Sequence, residues 1–189
     1  WKSDGTTSGT VIVKDIKSGS GSSNPLQLFV MDNTLYFTAT DGTHGAELWK
    51  SDGTESGTIM VKDIRSGSSG SDLQYFKAMG STLYFSANDG NGKELWKSDG
   101  TENGTIMVKD INPGNNVITG SSPGSFTVMG SILYFSANND NEHGIELWKS
   151  DGTENGTVMV KDINPGSSFG CHGDLKAVGS TIYFRGNDG

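Results

Sequence analysis

The chain has 189 residues with 22 acidic and 14 basic side chains, a net charge of −8, and its lysines are spread evenly along it; no basic patch forms, which argues against nucleic acid as a partner. Only 32% of the residues are hydrophobic, 28 are glycine, and no apolar run approaches the length of a membrane span. Such a composition excludes one thick core and fits many thin units sharing small ones; the single cysteine, Cys171, excludes an internal disulfide and stands in no nucleophile motif.

Taken in order, the chain is one unit used about four times. Trp1, Trp49, Trp96 and Trp148 are its only tryptophans, 48, 47 and 52 residues apart, and they set approximate units 1–48, 49–95, 96–147 and 148–189 within a single repeat domain. The first residue already stands inside the repeat, so the sequence reads as a processed or excised part of something longer, whose upstream targeting signals would not be seen. Residues 1–4 and 10–16 read as two strands, C and D, of a first unit, followed by a Gly/Ser loop to Pro25. The stretch 75–111, from the second unit into the third, shows the full set. Strand A covers 75–79, and strand B (82–87, TLYFSA) is aromatic and bounded by Gly and Asn-Asp-Gly. Strand C (94–99) alternates, with Glu94, Trp96 and Ser98 on one face. The turn Asp99-Gly100-Thr101-Glu102-Asn103-Gly104 leads into strand D (105–111, TIMVKDI). The third unit repeats this with a longer loop containing Asn115-Asn116-Val117-Ile118-Thr119, either drift or a contact surface. The last strands, 175–178 and 181–184, are an A and a B. Helical spacing never persists, so the chain is all-β.

Short A–B, B–C and C–D turns make each unit an antiparallel meander, and a four-stranded meander repeated at this period is the blade signature of a β-propeller. The expected fold is therefore an all-β propeller of four-stranded antiparallel blades, about four repeats of 47–52 residues. The terminal halves either combine into a fourth blade, closing a four-blade ring, or belong to a segment of a longer array. The tryptophans, mid-strand in blades covered on both faces, are expected in the core.

The motif Glu-Leu-Trp-x-x-Asp-Gly-Thr stands letter-perfect at 47–54, 94–101 and 146–153. It resembles the bacterial ELWxxDGT repeat family, and the surrounding repeat covers essentially the whole chain. The resemblance implies a large secreted or surface-attached bacterial protein, propeller-like and without an assigned activity. The B–C turn is also similar to Asp-box and quinoprotein-type blade turns, which are structural in their own families.

Meander geometry puts the D–A loops (17–25, 65–72, 112–125, 164–174) on one face with the B–C turns (41–46, 89–93, 139–145), and that face collects all three histidines. The candidate ligand-binding residues are Asp41, His44, Asp140, His143 and His172, as a polar pocket or a metal site. Against this, the second unit has no such histidine and no zinc-like spacing is present, so ordinary loop residues are the simpler reading and no metal is assigned. Calcium at the Asp-Gly-Thr turns through Asp52, Asp99 and Asp151 is the one cofactor considered; a single carboxylate per turn falls short of its six to eight oxygens, and capping of the turn explains the Asp better. Glu47, Glu94 and Glu146, with Lys62, Lys109 and Lys161, recur in every unit; a catalytic pair is needed once, so inter-blade ion pairs and hydrogen bonds explain them better than glycosidase chemistry. No catalytic residue is assigned. The expectation is an extracellular or cell-surface, non-enzymatic module for adhesion or recognition of a glycan or protein. The alternatives are a structural protein assembling into extracellular filaments by self-association and, less favoured, a glycoside hydrolase-like propeller.

Overall fold

A computed structural model describes residues 1–113, 120–139, 143–166 and 168–189. Among them are fourteen strands and no helix, arranged as three four-stranded antiparallel meanders and a hairpin. The first sheet is β1 (Leu26–Met31), β2 (Thr34–Ala39), β3 (Glu47–Ser51) and β4 (Ile59–Lys62). The second is β5 (Gln74–Met79), β6 (Thr82–Asn88), β7 (Lys93–Ser98) and β8 (Ile106–Lys109), and the third is β9 (Gly124–Met129), β10 (Ile132–Asn138), β11 (Ile145–Ser150) and β12 (Val158–Lys161). The hairpin is β13 (Cys171–Val178) and β14 (Thr181–Gly186). Residues 1–16 contribute one isolated bridge, Lys2 opposite Val11.

Most strands fall where the β-branched and aromatic runs place them, but residues 1–4 and 10–16, expected as two strands, make only the Lys2–Val11 bridge because no other strand pairs with them, and β13 starts at Cys171 rather than at 175. Strand D is shorter than the run 105–111, because β8 slips register between Leu95 and Trp96 and pairs only as far as Lys109. The first strand of each full sheet carries a bulge at Gln27, Tyr75 or Ser125, all at φ between 55° and 59°, where the register against the second strand shifts. The register itself repeats: Phe37 lies opposite Trp49, Phe85 opposite Trp96 and Phe135 opposite Trp148.

The core lies between successive sheets and is built the same way each time. Tyr36, Leu48, Val61 and Ile64 of the first sheet meet Leu83, Phe85, Ala87 and Trp96 of the second. Tyr84, Leu95, Val108 and Ile111 meet Leu133, Phe135, Ala137 and Trp148 of the third. Leu147 and Ile163 meet Cys171, Leu175, Ile182 and Phe184 of the hairpin, and at the other end Ile16 packs on Phe37, Ala39 and Trp49. Burying one such Phe or Leu completely, as Phe85 and Leu83 are, contributes about 1.5–3 kcal/mol.

Lysine hydrogen bonds bind the sheets together in the same order. Lys50 Nζ donates to the Gly100 carbonyl at 2.8 Å, Lys97 Nζ to Gly152 at 2.8 Å, and Lys2 Nζ to Gly53 at 3.0 Å. Residues 1–16 therefore stand against the first sheet as the first stands against the second. At the other end β14 pairs with β13 alone, and residues 1–4 do not pair with it. No ring closes through these strands. Trp49, Trp96 and Trp148 are buried as expected, at 6% exposed each, but Trp1 is 82% exposed, because no second strand lies opposite it. No helix among the described residues is long and apolar enough to cross a membrane.

Candidate functional site

Each loop leaving a fourth strand folds back over the turn between the second and third strands. Ser71 N–H donates to the Ala46 carbonyl at 3.1 Å, Ser122 N–H to Lys93 at 2.9 Å and Gly170 N–H to Ile145 at 3.1 Å. The two loop classes thus share one end of every sheet, as the meander requires.

The repeated glutamates fasten that end. Glu47 Oε2 accepts from Ile64 N–H at 3.0 Å and from Ser71 Oγ at 2.7 Å. Glu94 takes the Ile111 amide at 3.0 Å, the Ser121 amide at 2.7 Å and the Ser121 hydroxyl; Glu146 takes the Ile163 and Gly170 amides, both at 3.0 Å. All three carboxyl groups are buried. Burial pushes Glu47 up to about 7 against the hydrogen bonds that favour its charged form, with the Asp63 carboxylate adding to the rise, and burial raises Glu94 in the same way. The recurring lysines also bond between units, but to carbonyls: Lys62 to Glu102, Lys109 to Thr157 and Lys14 to Thr58. Of the expected contacts, Lys62 and Lys109 bond to the next unit's backbone, whereas the glutamates bond to the loop that leaves their own sheet, and no ion pair joins them to a lysine among the described residues.

At the opposite end each Asp-Gly-Thr turn closes on itself. Asp99 Oδ1 accepts from the Thr101 amide at 2.8 Å and hydroxyl at 2.7 Å; Thr101 Oγ1 accepts from Gly104 N–H at 3.0 Å, and Thr105 Oγ1 donates to the Thr101 carbonyl at 2.6 Å. The same set recurs around Asp4, Asp52 and Asp151. The threonine hydroxyl, then its amide, hold all four carboxyls below the usual Asp value.

The histidine candidates separate into three places. His44 Nδ1 lies 2.8 Å from Asp41 Oδ2, while Asp41 Oδ1 accepts the Thr43 and His44 amides at 2.8 Å; His44 Nε2 is 3.9 Å from Asp63. Burial pushes Asp41 up, but the hydrogen bonds from His44 and Thr43 outweigh it and bring it to about 2, and the bond to Asp41 raises His44. His143 Nδ1 meets Asp162 at 3.0 Å, in the third sheet. Asp140 lies outside the described residues, as does the 115–119 stretch. His172 lies in strand β13 and not in the preceding loop, because strand pairing starts at Cys171 opposite Gly186; its Nε2 is 3.0 Å from the Phe169 carbonyl. Asp63 and Asp162 were the unrecognised partners; their place in every Val-Lys-Asp-Ile run was the available signal. Asp63 Oδ1, Asp162 Oδ1 and Glu47 Oε1 are buried without a hydrogen-bond partner in the structure. Among the described residues no group of three His, Cys, Asp or Glu side chains is arranged to hold a metal ion.

Phe169, half exposed, meets the His172 ring edge-on at a centroid distance of 5.7 Å, and with Ser168 and Asn187 they line a shallow cleft of about 350 Å³. Cys171 is buried beside it; burial, then the charge of Glu146, pushes its thiol up to about 11, so at neutral pH it is a protonated core residue. No family model, curated protein or solved structure matches the chain.

Proposed function

We propose that this chain is a non-enzymatic recognition module of β-propeller type, in the manner of the ELWxxDGT repeats it resembles, acting outside the cell or on its surface. It holds a glycan or protein at the end where the inter-sheet loops meet the second-to-third-strand turns. The observation that supports this is a division of labour. The motif's Glu, Asp, Ser and Thr side chains, with Lys50 and Lys97, are engaged in hydrogen bonds within and between sheets. The residues not shared by every unit, Phe169 with His172 and the His44–Asp41 pair that the second unit lacks, stand at the loop end. A half-exposed aromatic face beside hydroxyl, amide and imidazole groups suits a sugar ring, which wants one apolar contact and several hydrogen bonds. Binding to a panel of immobilised glycans, read by surface plasmon resonance, is expected to select a sugar class, with the signal lost in Phe169→Ala and kept in Lys176→Ala. Binding indifferent to Phe169→Ala, or hydrolysis of the bound glycan, would overturn the proposal.

A second reading, a structural protein that assembles into extracellular filaments, is favoured by β1, an outer strand of its sheet that leaves Leu26, Leu28 and Val30 exposed.

A further inference from the structure

We infer that the cleft between the first and second sheets, at the Asp-Gly-Thr turn end, binds an organic cation: a guanidinium group on an aliphatic stem. This site is independent of the recognition proposed at the loop end, and the two share no residue.

The cleft measures about 570 Å³, within the range of small-molecule sites, and three aspartates line it, Asp32, Asp52 and Asp99. Asp52 and Asp99 each spend Oδ1 on the amide and hydroxyl of their own turn's threonine, and nothing among the described residues donates to Oδ2. Asp32 is exposed in the β1–β2 turn. The lining cation is Lys50, whose Nζ is turned to the Gly100 carbonyl at 2.8 Å. Three carboxylates thus stand against one ammonium that is already engaged.

A buried polar group faces the same space. Tyr36 is only 5% exposed, yet its hydroxyl makes no hydrogen bond to the described residues. The hydroxyl lies over Gly100, so close that a β-carbon there would collide with it. Burial, then the charges of Asp32 and Asp99, raises the Tyr36 pKa, so the phenol stays neutral beside both carboxylates. Met31 and Ile59 supply an apolar wall.

Part of this arrangement belongs to the repeat and part does not. Between the second and third sheets Tyr84 lies over Gly152 in the same way, Lys97 donates to the Gly152 carbonyl, and Asp99 and Asp151 take the places of Asp52 and Asp99. The turn between first and second strands differs: it reads Asp32-Asn33 in the first sheet, Gly80-Ser81 in the second and Gly130-Ser131 in the third. Tyr84 accordingly feels burial and Asp151 alone. The backbone at Asp32 has φ 48° and that at Gly80 φ 59°, a conformation that costs glycine least, so the turn itself does not call for the aspartate. The first cleft has gained a carboxylate that the fold can do without.

The ligand follows from the spacing. Among the described residues no three acids are arranged around one metal ion, so these acceptors suit a ligand with several separated donors. A guanidinium carries five N–H donors in one plane and pairs with carboxylates through two bonds at a time, and its stem can lie along Met31 and Ile59.

Isothermal titration calorimetry of the 189-residue chain with butylguanidine, N-acetylarginine amide and butylamine tests this. Both guanidines are expected to bind saturably at a single site and butylamine more weakly. Whichever guanidine binds tighter assigns the site to a free small molecule or to an arginine of a protein partner, and either result supports it. Asp32→Asn is expected to weaken binding about tenfold. Tyr36→Phe, which removes only the unbonded hydroxyl, is expected to weaken it severalfold, with unchanged melting certifying the fold of both variants. Glu154→Gln removes an equal charge from an exposed turn elsewhere and is expected to leave binding unchanged. Gly80→Asp is expected to add a second binding event. Absence of saturable binding overturns the inference. So does an Asp32→Asn effect no larger than that of Glu154→Gln, which is general attraction to a chain of net charge −8. Equal binding of butylamine overturns the guanidinium assignment. Glycan binding that depends on Phe169 is untouched by Asp32→Asn, so the two proposals fail separately.

Discussion

Glu47 is buried, carries two donors on one oxygen and none on the other, and has Asp63 near enough to oppose its charge. Free, such a group ionises near 4.5; folded, near 7. Between those values the native state binds more protons than the unfolded chain, so stability falls as pH rises. The sign is opposite to that of a salt-bridged carboxylate. His44 acts in the same direction, since its raised value means that the Asp41 bond weakens as the imidazole loses its proton. The urea midpoint is therefore expected to be higher at pH 5 than at pH 8, and Glu47→Gln, which keeps an acceptor oxygen without a charge, is expected to flatten that difference. Glu47→Ala strands the Ile64 amide and the Ser71 hydroxyl at about 1–3 kcal/mol for each group left unpaired. A midpoint that rises with pH, or a Gln variant with the wild-type slope, would refute the assignment.

At the scale of the element, the Asp-Gly-Thr turn is a closed hydrogen-bond ring, and its second glycine is required by space. A β-carbon on Gly104 would collide with the Asp99 carboxylate that organises the turn. Gly104→Ala is thus expected to destabilise more than Asp99→Ala, which loses two hydrogen bonds of about 1 kcal/mol each from an exposed turn; thermal melts of the two variants decide the order. This turn was legible in the sequence because Asp, Gly and Thr each carry a local propensity, and so were the strands, whose aromatic runs sit between such turns. The bulges at Gln27, Tyr75 and Ser125 were not, since Gln, Tyr and Ser announce no positive φ. The start of β13 at Cys171 was missed for a similar reason: Cys-His-Gly-Asp has no alternation, and its pairing with β14 is decided by the partner strand. At the candidate site, the shared loop end followed from topology, whereas the Asp41–His44 hydrogen bond was not legible in the turn that holds both residues. The Asp63 and Asp162 contacts depend on how a fourth strand's exit folds back, which pattern alone does not encode.

Across the whole molecule, stability is a sum over interfaces, because each sheet buries apolar surface only against the sheets next to it. The second sheet has a full core on both sides. The segments at the two ends have one neighbour each and open strand edges. Amide hydrogen exchange in dilute solution is accordingly expected to be slowest in β6 and β7 and fastest in residues 1–16 and β14. Substitutions should follow the same gradient. Phe85→Ala empties a fully buried site between the first and second sheets and is expected to cost about 3–5 kcal/mol, whereas Trp1→Ala, at the same motif position as three buried tryptophans, is expected to change the stability of the monomer by about 0.5 kcal/mol or less. The comparison separates two views of the repeat. If the motif were intrinsically stabilising, all four tryptophans would matter alike; if it stabilises only by facing a neighbour, Trp1, which has no strand opposite it here, matters little. A large loss in dilute Trp1→Ala, or uniform exchange across the sheets, would contradict the nearest-neighbour account.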